Sequence, residues 1–209
     1  MDFKNKVIIV TGASSGIGRA AGEYLSQLGG SIVITGRNEE ELKITASNCS
    51  SSDNLIIVAD VTKATDREKI INETVKKFGK IDVLVNNAGA GFFANVVDFK
   101  MEDYDFIMDL NVKSVFHLTQ LAIPHLIESQ GNIVNVSSVY GLRPSSGKAA
   151  YCMSKAALDQ FTKCLALELA PKNVRVNAIN PAAVKTNCYK GLGLSEVAYE
   201  EFLQSLVPS

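Results

Sequence analysis

Val7-Ile8-Ile9-Val10-Thr11-Gly12-Ala13-Ser14-Ser15-Gly16-Ile17-Gly18 is the stretch that decides the fold of this chain. An apolar, β-branched run reads as a buried strand, and the segment that follows, Arg19 to Leu28, carries apolar residues at helical spacing. Strand, glycine-rich turn and helix are the local order a dinucleotide site needs. Glycines let the backbone approach a pyrophosphate closely, and the N–H groups at the helix start face its negative charge. The spacing is G-x-x-x-G-x-G rather than the commoner G-x-G-x-x-G. The plainer alternative is a glycine turn with no ligand role.

Outward from this unit the same alternation continues. Strands are expected at 7–11, 31–35, 54–59, 81–85, 132–136 and 175–179. Helices are expected at 17–28, 39–47, 65–78, 101–128 and 151–170. Strands alternating with helices predict an α/β fold, a doubly wound parallel sheet of Rossmann type. With 209 residues, the chain fits a single domain over 1–209 with a sizeable core. Its net charge of −1 provides no bulk field for nucleic acid or an anionic membrane surface, so neither is expected as a partner. The first residues run straight into the first strand and no apolar run is long enough to span a bilayer, which makes cytoplasmic localisation the expectation.

Cys49, Cys152, Cys164 and Cys188 show no metal-ligand spacing, and reduced thiols are expected. Cys152 adjoins a candidate catalytic tyrosine but points about 100° away from it on a helix, which suggests packing. His117 and His125 have no carboxylate or nucleophile paired with them in the sequence pattern, and no metal is expected.

The second informative segment is Tyr151-Cys152-Met153-Ser154-Lys155, with Ser138 upstream. Tyr151 and Lys155 at i and i+4 share one helix face. A free phenol has a pKa of about 10, and a neighbouring ammonium favours the phenolate. The pair reads as a proton donor with its own tuner.

Taken together, these residues resemble the short-chain dehydrogenase/reductase family, from Val7 to about Thr186. Thr11 to Gly18 is similar to that family's cofactor turn, Asp60-Val61 to its adenine-contacting pair and Asn86-Asn87-Ala88-Gly89 to the motif after its fourth strand. Asn111, Ser138, Tyr151 and Lys155 match its catalytic tetrad. The resemblance implies cofactor contacts from Gly12, Ser14, Ser15, Gly16, Ile17, Gly18, Asp60, Val61, Asn87, Ala88, Gly89, Tyr151, Lys155, Val184 and Thr186. It also implies hydride transfer between a nicotinamide dinucleotide and a carbonyl or secondary alcohol. Ser138 would orient the oxygen, Tyr151 would exchange the proton, and Lys155 would tune Tyr151 and bind the nicotinamide ribose. Asn111 would sit at a local helix kink.

Arg37 lies just after the second strand, with no acid in Val33–Arg37. A guanidinium there accommodates a 2′-phosphate, so NADP(H) is expected over NAD(H). Asp60 has a turn-capping alternative. Asn86 is expected to be structural and Asn87 to contact the cofactor. Strand alternation would send Ser137 and Ser138 to opposite faces, and the family match favours Ser138. Phe92, Phe93, Val139, Tyr140, Leu142 and Pro144 suggest an apolar ligand, or only packing. A non-catalytic dinucleotide-binding protein is the alternative from another class. A different Rossmann-type enzyme, such as a methyltransferase, leaves Tyr151, Lys155 and Ser138 without use.

Two departures from the family pattern stand out. The sequence as given stops soon after the last candidate helix, which shortens the lid over about 187–209 and leaves out the family's seventh strand, so the sixth is expected as an edge. Pro181-Ala182 replaces the usual Pro-Gly. A homodimer is expected through the two long helices, using Val112, Val115, Phe116, Thr119 and Leu121 with Leu158, Phe161, Leu165 and Leu169, while a tetramer stays possible.

Overall fold

Ile8, Ile9 and Val10 are fully buried, because the first strand runs through the middle of a parallel sheet covered on both faces. The structure is a computed structural model, and it describes residues 2–50, 53–184, 186 and 195–205. Its strands are β1 (Val7–Thr11), β2 (Ser31–Gly36), β3 (Leu55–Val58), β4 (Val83–Asn86), β5 (Asn132–Val136) and β6 (Arg175–Ile179). Its helices are α1 (Gly16–Gln27), α2 (Glu39–Asn48), α3 (Ala64–Phe78), α4 (Met101–Met108), α5 (Ser114–Glu128), α6 (Ala149–Leu169) and α7 (Glu196–Ser205).

The sheet order is β3-β2-β1-β4-β5-β6, every pairing parallel. The chain leaves β1 for β2 on one side and returns to β4 on the other. The carboxyl ends of β1 and β4 therefore open a crevice at the point where the order reverses, the usual ligand position in such sheets. Alternation along β1 fills two cores. Ile8 and Val10 pack with Ile32, Ile34 and Leu42 on the α1–α2 side. Val7 and Ile9 pack with Leu84, Ile133, Ile70, Leu118 and Leu165 on the α3, α5 and α6 side. Each fully buried aliphatic side chain contributes about 1.5–3 kcal/mol relative to exposure.

The six expected strands are all present; β1, β5 and β6 keep the expected bounds, and β2, β3 and β4 shift by one or two residues at one or both ends. Asp60 lies two residues past β3, and Ser138 two past β5, where it accepts from Tyr140 N–H at 3.2 Å and opens a short 3₁₀ turn at Val139–Gly141. The single helix expected over 101–128 is divided: a π turn at Asp109–Lys113 separates α4 from α5 and carries Asn111. The wider turn is explained by the bonds Asn111 makes outside its helix, given below. Among the described residues β6 is an edge strand. Ala182 has no positive φ, so the loop after β6 forms without the conformation a glycine would favour. Cys188 and the lid stretches 187–194 and 206–209 lie outside the described residues. In α7, Tyr199 is buried and donates its hydroxyl to the Val184 carbonyl at 2.9 Å.

The long-helix stripes divide between two surroundings. Val115, Thr119, Leu158, Leu165 and Leu169 are buried under the sheet and are removed from the expected partner surface. Phe116 stays 53% exposed and stacks obliquely on Phe161, with ring centroids 5.3 Å apart.

Candidate active site

The glycine turn is tied to the fourth strand by one hydroxyl. Thr11 donates to the Val85 carbonyl at 3.3 Å and accepts the N–H groups of Asn87 and Ala88 at 2.9 and 3.0 Å. Asn87 answers with its amide, donating to the carbonyls of Thr11 and Gly12 at 2.8 and 3.2 Å. This approach leaves no room for a side chain at two positions. Gly12 has φ +65°, and a Cβ there would lie 2.9 Å from Ala88 Cα. A Cβ at Gly18 would overlap both the Asn87 amide and the Gly12 carbonyl. Ser15 caps α1 without a side-chain bond, and no acid occupies the first turn of that helix. Its first N–H groups are thus oriented for an anion, as a pyrophosphate requires. Thr186 closes over the turn, its side-chain carbons 3.3 Å from where Gly16 would carry a Cβ.

Arg19 holds the turn from behind. Its guanidinium donates to the Ser14 carbonyl, pairs with Glu41 at 2.5 Å and reaches the Thr45 hydroxyl at 3.0 Å. Beside it, Ser14, Arg37, Asn38, Glu39 and Glu40 line an open cavity of about 470 Å³. Both acids there are paired with Lys43, at 3.0 and 3.1 Å. Asp60 caps its own turn, accepting from the N–H and hydroxyl of Thr62 at 3.0 and 2.8 Å. Burial pushes its carboxyl up, but the Thr62 bonds, followed by the charges of Arg37 and Lys63, outweigh that and hold it below the usual carboxylate range. Arg37 therefore shares one electrostatic neighbourhood with Asp60. Val61 is fixed through its carbonyl by Arg67, which also donates to His117 Nδ1 at 2.9 Å. His117 thus pairs with a guanidinium rather than a carboxylate.

On the other side of the crevice, Asn86 is structural as expected. Its amide donates to Asn135 of β5 and to Thr119 of α5, and Asn135 passes the chain on to Thr162 of α6. Buried polar groups on four elements, β4, β5, α5 and α6, are satisfied by one another. Asn111, in the π turn, brackets Ala90, accepting its N–H at 3.0 Å and donating to its carbonyl at 2.8 Å. It also donates to the Ser154 hydroxyl at 3.0 Å. A Cβ at Gly89 would stand 3.1 Å from Asn111 Oδ1 and 3.5 Å from Lys155 Nζ, which places both side chains against the loop after β4. Gly91 stands in the same relation to the Tyr151 ring, at 3.0 Å.

Lys155 is buried, donates to the Val136 carbonyl at 2.8 Å and lies 5.7 Å from the centroid of the Tyr151 ring. Burial lowers its pKa to about 8, and Asp159, one turn further along α6, works against that shift. Ser137 donates to the Lys155 carbonyl at 3.2 Å, so it serves α6, whereas Ser138 turns to the loop after β6, with Pro181 O at 3.5 Å. The two serines thus face different elements. Tyr151, Lys155, Asn111 and Ser138 thus come to the crevice edge where the glycine turn lies, while Cys152 turns to the Arg143 carbonyl, 4.0 Å away. A phenol, a buried ammonium and a hydroxyl in this order are equipped to move a proton to or from a substrate oxygen.

The short chain dehydrogenase family model matches residues 6–196. The chain belongs to that family. It is 38% identical over 189 residues to the 3-oxoacyl-[acyl-carrier-protein] reductase of Thermotoga maritima, covering 89% of this chain and 77% of that one. It is 35% identical over 191 residues to the meso-2,3-butanediol dehydrogenase of Serratia marcescens, covering 91% and 76%. Among solved structures, the 3-ketoacyl-(acyl-carrier-protein) reductase of Brucella melitensis complexed with NADH superposes with a TM-score of 0.88 at 34% identity, over 91% of this chain and 80% of that chain. The short-chain dehydrogenase described here is an oxidoreductase of a family that binds a nicotinamide dinucleotide and acts on CH–OH or carbonyl groups.

Several site-building residues have no signal in the sequence. Asp159 is buried and receives the Asn180 amide at 3.0 and 3.1 Å, and that same amide donates to the Ser138 carbonyl at 3.0 Å. Arg19, Arg67, Ser154 and Lys148 are of the same kind, each defined by a partner distant in sequence or by packing. Only the acid one turn after Lys155 was open to notice, as an i,i+4 charge pair.

Proposed function

We propose that residues 1–209 form a single domain that transfers hydride between NADP(H) and an apolar ketone or its secondary alcohol. What supports this most is the meeting of the Tyr151–Lys155 pair with the Gly12–Gly18 turn at one sheet edge, through the loop after β4. The pyrophosphate would lie on Gly12, Ser14, Ser15, Gly16, Ile17 and Gly18, the adenosine on Arg37, Asp60 and Val61, and the nicotinamide half on Asn87, Ala88, Gly89, Tyr151, Lys155, Val184 and Thr186. The bound dinucleotide supplies the hydride that the carbonyl carbon accepts. Ser138 orients the carbonyl oxygen and Tyr151 gives it a proton, which leaves a tyrosinate to be reprotonated. Lys155 stabilises that anion through its charge, and Asn111 anchors the loop against which both side chains lie. Oxidation is the reverse, with tyrosinate as base. Reduction of a panel of ketones by NADPH tests the reading; binding of NADPH with no turnover of any ketone would favour a non-catalytic dinucleotide-binding protein.

The preference for the 2′-phosphate rests on Arg37 at the open cavity and on Glu39 and Glu40 being engaged by Lys43. NADPH is expected to bind at least about tenfold tighter than NADH, about 1.4 kcal/mol. Arg37→Ala is expected to erase most of that gap. Equal affinities in the unmodified protein would overturn the assignment.

The assembly reading is a homodimer through α5 and α6, supported by the exposed Phe116 and its stack on Phe161. Sedimentation at micromolar concentration is expected to give a dimer, and Phe116→Asp a monomer. A stable tetramer that survives this substitution would place the main interface elsewhere. A cytoplasmic location goes with the three described cysteines, Cys49, Cys152 and Cys164, being unbridged.

A further inference from the structure

Asp159 is a buried acid outside the Ser138, Tyr151 and Lys155 group that handles the proton. Tyr151, Lys155 and Asp159, each four residues after the last, run along one face of α6. A buried carboxylate is costly unless it is hydrogen-bonded. Asp159 takes the Asn180 amide, whose Nδ2 lies 3.0 and 3.1 Å from its two oxygens. The same nitrogen donates to the Ser138 carbonyl at 3.0 Å. Both partners are acceptors, so the amide spends one proton on each and its orientation is determined. The hydrogen bonds of Asp159 therefore lead to Ser138, although its charge also opposes the burial that lowers the Lys155 pKa.

α6, the Ser138 turn and the loop after β6 meet at this amide. Pro181, next to Asn180, accepts the Val139 N–H at 3.1 Å. The Ser138 carbonyl also accepts the Gly141 N–H at 2.9 Å, so both of its lone pairs are engaged. Gly141 in turn lies directly against α6. A Cβ there would overlap Asp159 Oδ2 and stand 3.0 Å from the Lys155 carbonyl. Gly141 has no positive φ, so close approach rather than backbone conformation calls for a glycine here. The carboxylate thus bears on the Ser138 turn from both ends, through Asn180 at its start and Gly141 at its close.

We propose that Asp159 is a positioning residue: through Asn180 and Gly141 it fixes the Ser138 turn against α6, and so sets where the Ser138 hydroxyl stands relative to Tyr151. The inference rests on the oxidoreductase reading of the site. Its test is NADPH-dependent reduction of whichever of cyclohexanone, acetophenone and benzil is turned over fastest. Asp159→Ala and Asn180→Ala are each expected to lower kcat/KM by about tenfold, with NADPH affinity within about twofold of the unmodified protein. Ser138→Ala is expected to lower kcat/KM by about 10²-fold. In the Ser138→Ala background either second substitution is expected to cost less than about twofold more, because the hydroxyl it positions is already gone. A general loss of structure, or an action on Lys155 alone, would multiply with Ser138→Ala, so a further loss of about tenfold there would overturn the proposal. Activity of Asn180→Ala within about twofold of the unmodified protein would overturn it as well. Asn180 lies in a partly buried loop, and its variant carries the test if Asp159→Ala does not fold. If none of the ketones is reduced, the oxidoreductase reading fails, and amide hydrogen exchange decides the brace by itself. Asn180→Ala is then expected to speed exchange of the Val139 and Gly141 N–H groups by about tenfold while β4 is unchanged, and unaltered exchange at both groups would overturn the brace.

Discussion

Tyr151→Phe is expected to lower kcat by at least about 10²-fold, within the 10²–10⁴ usual for a lost general acid. NADPH affinity is expected to stay nearly unchanged. The reason is what the substitution keeps. Phenylalanine preserves the ring, and with it the edge contacts to Phe93 and Tyr140 and the fit of the ring against Gly91. Only the hydroxyl is lost, and in this account that is the group that hands a proton to the substrate oxygen. Single-turnover kinetics and a cofactor titration on the same sample separate the two quantities. Activity within about tenfold of the unmodified protein would be too small a loss for the general acid. Tyr140, the adjacent phenol bonded to Lys148, would then be the first donor to test in its place.

Lys155→Met is expected to harm both functions, lowering kcat by about 10²-fold or more and weakening NADPH binding by about tenfold. The same side chain leaves a mark on stability that is independent of turnover. Burial holds its pKa near about 8, below the ordinary 10.5, with Asp159 opposing the shift. Between those two values the unfolded chain binds more protons at this site than the folded one, so the stability of the cofactor-free protein rises with pH across that window. Below about pH 8 the full cost of burying the charge is present. That cost is on the order of 3 kcal/mol. Lys155→Met has no such group, and other titrations cancel in the comparison. Denaturant unfolding at several pH values is therefore expected to show the unmodified protein gaining on the variant between about pH 8 and 10.5. Parallel stability curves would mean that Lys155 is not held near 8 in the folded state.

Most of the fold was legible because its signals are local. The β-branched run at 7–10, the glycine turn and the i,i+4 spacing of Tyr151 and Lys155 each need only a few neighbouring residues to be read. Strand periodicity also indicated that Ser137 and Ser138 would turn to different neighbours, as their bonds to the Lys155 and Pro181 carbonyls show. What escaped was set by partners far along the chain. The kink at Asn111 is an exception in one respect: the apolar spacing of the segment runs on smoothly and gives no sign of it, but the family resemblance implied it, and the π turn at Asp109–Lys113 carries Asn111 with its bonds to Ala90 and Ser154. The apolar stripes of α5 and α6 showed periodicity but not which side the sheet would cover. Arg67 with His117 and Asp159 with Asn180 are pairings of charge and geometry that no local window of sequence contains.

The transfer itself is the most direct measurement. NADPH deuterated at the transferring carbon of the nicotinamide, incubated with the best ketone of the panel, is expected to give an alcohol carrying deuterium on its carbinol carbon. The Tyr151→Phe protein, binding the same cofactor, is expected to give almost none. Saturable NADPH binding with no deuterium in any product from the unmodified protein would contradict the account.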